Sequence, residues 1–318
     1  MNKQMLQFSP CSQMVKVRPW VVGHTSLYGV GGGYSCCFKC NQILRIGLQE
    51  ETYYCNTGSP EAQTGKMHCY GSLVTCLNCG FVILGLWNLV EHRKSQASYG
   101  RHRSPGPPCW MIPARAAWFL QEMPAFLVPL LLMLTSDTPS SMGKYLLLGT
   151  FCLHYFHRTF IYSLLIRGTS FPLGVMVNAW CICSVNGFLQ GHYLLHCSQF
   201  SDDWSSDYRF IAGLLLFFIG MAVNIHSDYT LRNLRKPGEV IYKIPTGGLF
   251  EYVSGANYLG EIVEWFGYAV ATWSLPALSF AVFSLCFIGP RAYYHHRFYQ
   301  ETFKQYPKAR KALIPFIF

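Results

Sequence analysis

Asn224-Ile-His-Ser-Asp228-Tyr-Thr-Leu-Arg232-Asn-Leu-Arg235, then Tyr242-Lys-Ile-Pro-Thr-Gly-Gly-Leu-Phe250, then Glu251-Tyr-Val-Ser-Gly-Ala-Asn257-Tyr-Leu-Gly-Glu261-Ile-Val-Glu264-Trp-Phe-Gly-Tyr268, sets charged and amide side chains between two strongly apolar segments. Spacing predicts a helix continuing out of the first apolar segment, with Asn224, Asp228 and Arg232 on one face and Arg235 a turn further on. Beyond the Pro245-Thr-Gly-Gly turn, Asn257, Glu261 and Glu264 stand at i, i+4 and i+7. At roughly 100° per residue these three fall within about 60° of one another. Their neighbours Tyr258, Ile262, Val263 and Phe266 are apolar or aromatic. The two glutamates are either helix-end carboxylates in water or part of a polar interior. Apolar residues on both sides favour the second, because a charge inside a bilayer costs several kcal/mol unless paired or facing a polar cavity.

Working outward, 51% of the 318 residues are hydrophobic, 16% aromatic and only 13% charged. The apolar windows reach the length of about 20 residues that a bilayer-crossing helix needs. They run from about 70 to 90, 116 to 134, 145 to 166, 173 to 197 and 210 to 226, followed by a stretch from 256 to 288 that Ser274-Leu-Pro276 divides. The expected fold is an all-α membrane protein, a seven-helix bundle enclosing a cavity. The connections after spans one, three, five and seven are basic, whereas those after two and four carry Asp137, Asp202, Asp203 and Asp207. The positive-inside rule then puts the C-terminus in the cytosol and the start of the first span in the lumen. That first span is expected to direct insertion, with no cleavable leader.

A net charge of +10 raises nucleic acid as a partner, but the Lys and Arg residues form no continuous run interleaved with stacking aromatics, and topology accounts for them. No obligate protein partner is evident. Of the 14 cysteines, Cys37 with Cys40 and Cys76 with Cys79 are Cys-x-x-Cys pairs. The second pair lies in an apolar window without further ligands, so no metal site is expected. Cys152, Cys181, Cys183 and Cys286 read as packing residues. Residues 1–66 are polar, and their Gly29-Val-Gly-Gly-Gly run lacks the frame of a dinucleotide fingerprint. They are read as an atypical, unstructured extension ahead of a membrane domain spanning 67–318.

Tyr155, Arg158 and Tyr162 share a helix face, as do Arg291, His295 and Tyr299. A buried arginine needs an anion, and its planar fork suits phosphate or carboxylate. Arg158, Arg235 and Arg291 therefore bind either a phosphorylated cofactor entering from the cytosol or internal carboxylates, with Glu122, Glu261 and Glu264 the available partners.

The opening stretch, together with Pro113-Ala-Arg-Ala-Ala-Trp-Phe-Leu-Gln-Glu122, His154-Tyr-Phe-His-Arg-Thr-Phe160 and Lys311-Ala-Leu-Ile-Pro-Phe-Ile-Phe318, resembles the steroid 5α-reductases, most closely their type 2 members. The resemblance covers roughly residues 97 to 318 and, more loosely, starts at Met67. It implies an endoplasmic reticulum enzyme that uses NADPH to reduce the 4,5 double bond of a 3-oxo-4-ene steroid. It also implies that Glu122 and Tyr155 hold the C3 ketone. NADPH would be contacted at Arg158, Tyr162, Asn224, Asp228, Arg235, Tyr242, Asn257, Glu261, Arg291, His295 and Tyr299. The steroid would lie among Trp118, Gln121, Phe283 and Phe287. The chain departs from the type 2 pattern at Thr169 and Asn178, where arginines are expected, at His192 in place of a tyrosine and at Ile182 in place of an aromatic. Membrane enoyl-CoA or polyprenol reductases, an isoprenylcysteine-type methyltransferase, a transporter and a catalytically impaired homologue are the competing readings. The Leu120-Gln-Glu122 motif favours the steroid, and no internal repeat of a transporter is visible.

Overall fold

The computed structural model describes residues 69–92, 110–136, 141–201, 203–235, 239 and 241–318. The extension 1–66 and the pair Cys37 and Cys40 lie outside them. The described chain is mostly helical: α1 (Gly71–Glu91), α2 (Ala114–Leu134), α3 (Met142–Phe156) running through a π-helical segment (His157–Tyr162) into the single turn α4 (Ser163–Leu165), α5 (Leu173–His192) extended by a second π-helical segment (Tyr193–Cys197), α6 (Tyr208–Asn233), α7 (Ala256–Thr272) and α8 (Leu275–Thr302). A two-residue ribbon pairs β1 (Met111–Ile112) antiparallel with β2 (Phe171–Pro172), joining the entries of α2 and α5.

Among the described residues, five helices are long and apolar enough to cross a membrane: α1, α2, α5 with its extension, α6 and α8. They mark a multi-pass membrane protein. α7 has 17 residues and α3 has 15 before its π-helical continuation, which leaves both short of that length. α7 and α8 separate at Trp273 and Ser274, within a residue of the break that the sequence predicts. Trp273 ends α7 in the left-handed region at φ 45°. Ser274 then caps α8, its hydroxyl accepting the Ala277 N–H at 3.3 Å, with Pro276 in the first turn where a missing N–H costs nothing.

α6 and α7 pack backbone against backbone. Gly213 and Gly220 of α6 and Gly260 and Gly267 of α7 recur at seven-residue spacing, and each faces main chain of the other helix. A Cβ at Gly260 would stand 2.5 Å from the Asn224 nitrogen, and one at Gly220 would overlap the backbone of Glu264. Small residues at such a seam allow the close approach that drives helix pairing in lipid. α2 and α5 use a related device, Gly187 and Gly191 of α5 lying against the Pro124 and Pro129 turns of α2. α1 meets α8 at Gly85, whose Cβ would come 3.1 Å from the Phe283 Cα.

A disulfide joins Cys69, just before α1, to Cys197 at the end of the second π-helical segment. The sequence reading assigned no disulfide and did not single out either of these cysteines. At the other limit of the chain the tail returns to the loop before α7: Lys311 N–H donates to Tyr252 O at 2.8 Å, and buried Arg310 donates to Pro245 O at 2.9 Å. The predicted Pro245-Thr-Gly-Gly turn is present, with Gly247 and Gly248 at φ 89° and 56°. Its Gly247 N–H donates to Glu251 Oε1 at 2.6 Å. In the tail, burial pushes the Tyr306 hydroxyl above its ordinary pKa.

Candidate functional site

One polar group forms where the start of α7 meets α6 and the first π-helical segment. Arg158, buried, donates from Nη1 to Asp228 Oδ2 at 3.1 Å, and Asn257 Nδ2 donates to Asp228 Oδ1 at 3.3 Å. Asn224 Nδ2 donates to the Asn257 carbonyl at 3.0 Å. The Arg158 guanidinium lies over Tyr162, 4.0 Å from the ring centre, and over Trp118 at 4.8 Å. Trp118, expected beside the steroid, thus stands with the residues expected around the cofactor. The internal partner of Arg158 is Asp228, whereas the sequence offered Glu122, Glu261 and Glu264. π-Helical winding, which nothing in the local sequence signals, sets the angle between Arg158 and Tyr162 in place of plain α-helical spacing.

Next to Asn257, Tyr258 places its hydroxyl 3.5 Å from His295 Nε2, bringing α8 to the same end of α7. Arg291, a turn before His295, stacks on Phe287 at 4.2 Å. Arg235 does not continue α6 as predicted. The helix ends at Asn233, because Pro237 two residues beyond Arg235 forbids helical continuation. Arg235 stacks instead on Tyr242, 5.2 Å from its ring centre, and Tyr242 packs edge-on to Phe298. Tyr299 is buried in parallel stacking with Tyr306. Glu261 is half-buried on α7, one turn beyond Asn257. Phe283 faces Phe81 of α1 and stacks on Phe280 and Phe287 in the aromatic core.

A second group forms between α2, α3 and α5. Glu122 is 9% exposed, accepting from Gln121 Nε2 at 3.1 Å and from the Cys183 thiol at 3.7 Å. Tyr155, 3% exposed, accepts at its hydroxyl oxygen from Asn186 Nδ2 at 3.0 Å. Gln190 Nε2 in turn donates to Asn186 Oδ1 at 3.2 Å and to the Pro276 carbonyl at 3.0 Å. Cys183, Asn186 and Gln190 stand at i, i+3 and i+7, so one face of α5 contacts both Glu122 of α2 and Tyr155 of α3. Successive turns of that face lie about 5–6 Å apart.

The internal pair of Glu122 with Arg158 is not formed, and neither is one with His154. His154 Nδ1 instead meets Glu264 Oε1 at 2.7 Å, both buried, with the His154 ring against Trp265. Among the described residues Glu264 Oε2, Trp265 Nε1 and Tyr268 Oη have no hydrogen-bond partner. Sequence reasoning missed Cys183, Asn186, Gln190 and the His154–Glu264 contact. A polar stripe inside an apolar window was the available signal for the first three.

Of the departures from the type 2 pattern, Thr169 and Asn178 are exposed. His192 is buried between the rings of Phe188 and Tyr70 and accepts the Tyr70 N–H at 3.2 Å. Ile182 packs, half-buried, on the core. Cys76 and Cys79 are exposed on α1, and no group of three or more metal-ligating side chains occurs among the described residues.

A family described as 3-oxo-5-alpha-steroid 4-dehydrogenase matches residues 169–318. Over 256 residues, 80% of this chain and 100% of the relative, the chain is 55% identical to 3-oxo-5-alpha-steroid 4-dehydrogenase 2 of Homo sapiens. Identity to the protein of that name in Sus scrofa is 60% over 79% of this chain and 99% of the relative. With 3-oxo-5-alpha-steroid 4-dehydrogenase 1 of Homo sapiens it is 48%, over 72% of this chain and 89% of the relative. Identity at this level along the full length of a relative, higher for type 2 than for type 1, places the chain in the 3-oxo-5-alpha-steroid 4-dehydrogenase family, the steroid 5α-reductases.

Proposed function

We propose that the chain reduces the 4,5 double bond of 3-oxo-4-ene steroids, testosterone and progesterone-type substrates among them, with NADPH as reductant. Kinship with proteins named for this activity supports the reading. The observation that carries it is that one face of α5 contacts both Glu122 and Tyr155, two buried polar groups in apolar surroundings.

The residues around Arg158 fit a phosphorylated dinucleotide: a buried guanidinium flanked by the faces of Trp118 and Tyr162, with two amides and a carboxylate beside it. Arg158, Tyr162, Asn224, Asp228 and Asn257 would hold the cofactor, with Arg235, Tyr242, Glu261, Arg291, His295 and Tyr299 completing the set. Bound there, NADPH supplies the hydride. Addition at C5 of the enone leaves negative charge on the C3 oxygen, so a donor aimed at that oxygen lowers the barrier. Tyr155 would donate a hydrogen bond to the ketone oxygen, with Glu122 as the second group that holds it. C4 then takes a proton derived from water, and the ring leaves saturated. Trp118, Gln121, Phe283 and Phe287 would line the steroid's place.

The helical run 142–165 and α7 complete seven crossings with the five long helices. The chain would lie in the endoplasmic reticulum membrane with a cytosolic C-terminus. Cys69 and Cys197 then both face the lumen, the side on which disulfides persist, which supports the orientation. Residues 67–318 would form the reductase domain, with 1–66 dispensable.

The test is expression from Met1 and, separately, from Met67 in microsomes lacking background reductase, assayed for NADPH-dependent conversion of testosterone to dihydrotestosterone. Both forms should convert it. Correctly inserted protein that converts no steroid in either form would overturn the assignment.

A further inference from the structure

We infer that Asn186 and Gln190 of α5 are positioning residues that fix the Tyr155 hydroxyl as a hydrogen-bond donor toward the substrate ketone. The inference rests on the reading of Tyr155 as the group that polarises that ketone.

Pro276 O can only accept, so the Gln190 group 3.0 Å from it is the amide nitrogen. That nitrogen has two hydrogens. The second goes to the neighbour 3.2 Å away, which must therefore be the Asn186 oxygen. With its oxygen so engaged, Asn186 turns its own nitrogen to Tyr155 and donates across 3.0 Å. The direction of every bond in the chain Pro276–Gln190–Asn186–Tyr155 thus follows from one backbone acceptor. Tyr155 receives a hydrogen bond at its oxygen, and among the described residues its own proton goes to no acceptor.

All three side chains are at most 3% exposed. Water therefore does not compete for these bonds, and reversing the chain would strand a donor against a donor. A phenol that both accepts and donates is also polarised in the direction of donation. The network spans α3, α5 and the first turn of α8, so its bond directions depend on how those helices pack.

A double-mutant cycle in the full chain tests this. Asn186→Leu and Tyr155→Phe are made singly and together, and kcat, the KM for NADPH and the Kd of radiolabelled testosterone on NADP+-loaded membranes are measured. Asn186→Leu should lower kcat about 10-fold with the NADPH KM unchanged, a part of the roughly 100-fold that loss of a polarising donor costs. In the Tyr155→Phe background the same change should cost less than twofold, in kcat or, where turnover is too small to measure, in testosterone Kd. An equal loss in both backgrounds would mean a merely structural role and would overturn the inference. Near-normal turnover of Tyr155→Phe alone would instead remove the ketone reading, and the inference with it. Should Asn186→Leu fail to accumulate, Gln190→Leu, one bond further from Tyr155, carries the same cycle with the same criteria.

Discussion

The seam between α6 and α7 and the polar layer between α2, α3 and α5 are both buried helix contacts, yet they are specified in opposite ways. At the seam the sequence contributes an absence: Gly213, Gly220, Gly260 and Gly267 remove side chains so that backbones touch. In the polar layer it contributes chemistry: Glu122, Tyr155, Asn186 and Gln190 place directed hydrogen bonds inside apolar surroundings. Substitutions at the first should therefore act on whether the bundle forms. Substitutions at the second should act on what the formed bundle does.

The largest expected effect tests the first half of that contrast. Gly220→Val would force a branched side chain into the Glu264 and Gly260 backbone and separate the helices that carry Asp228 and Asn257. Folded protein should be lost almost entirely, read as microsomal accumulation and protease resistance. Accumulation near the parent level would show that the seam is not a tight contact.

Glu122→Gln probes the second half. Its shape is nearly unchanged and its neighbours are an amide and a thiol, so accumulation and NADPH binding should persist. Turnover of testosterone should nevertheless fall about 100-fold or more, the usual cost of removing a group that stabilises the developing charge. Turnover within a few-fold of the parent would discard any role of Glu122 in holding the ketone that needs a carboxyl group.

The smallest effect belongs at a position in neither region. Asp207 caps α6, accepting the Arg209 N–H at 2.7 Å and holding the Arg209 guanidinium at 2.8 and 2.9 Å. Arg209 holds its carboxyl below the usual aspartate pKa. The contribution is thus present above the ordinary value of about 4 and lost as pH falls through the lower folded value. Asp207→Ala should lower thermal stability slightly at neutral pH and not at all once the pH is low enough to protonate the cap. A stability deficit unchanged at low pH would assign the loss to the packing of Arg209, whose guanidinium lies 4.6 Å from the Trp204 ring centre.

The two regions also differ in how far sequence reveals them. Apolar run length located the helices, and Ser274-Leu-Pro276 gave the break before α8, because bilayer thickness and proline chemistry act locally. The seven-residue spacing of the seam glycines was equally visible, but it does not name its partner helix, which is a property of the folded bundle. Arg158 illustrates the limit at the site. Its burial and need for an anion could be read, yet its partner is Asp228 and none of the three glutamates, and Arg158 sits in a π-helical winding that no local residue announces. Asn186 and Gln190 were passed over as ordinary residues of an apolar window, since their role exists only once Tyr155 and Pro276 are beside them.

The bond between Cys69 and Cys197 has a consequence for the order in which the protein is made. Its partners are 128 residues apart, so it can close only after α5 has been synthesised, and no part of it waits for α8. The first helix meets the backbone of the last one at Gly85 and Phe283. A growing chain tied at Cys69 and Cys197 keeps α1 beside α5, so that it is already in place when α8 is delivered.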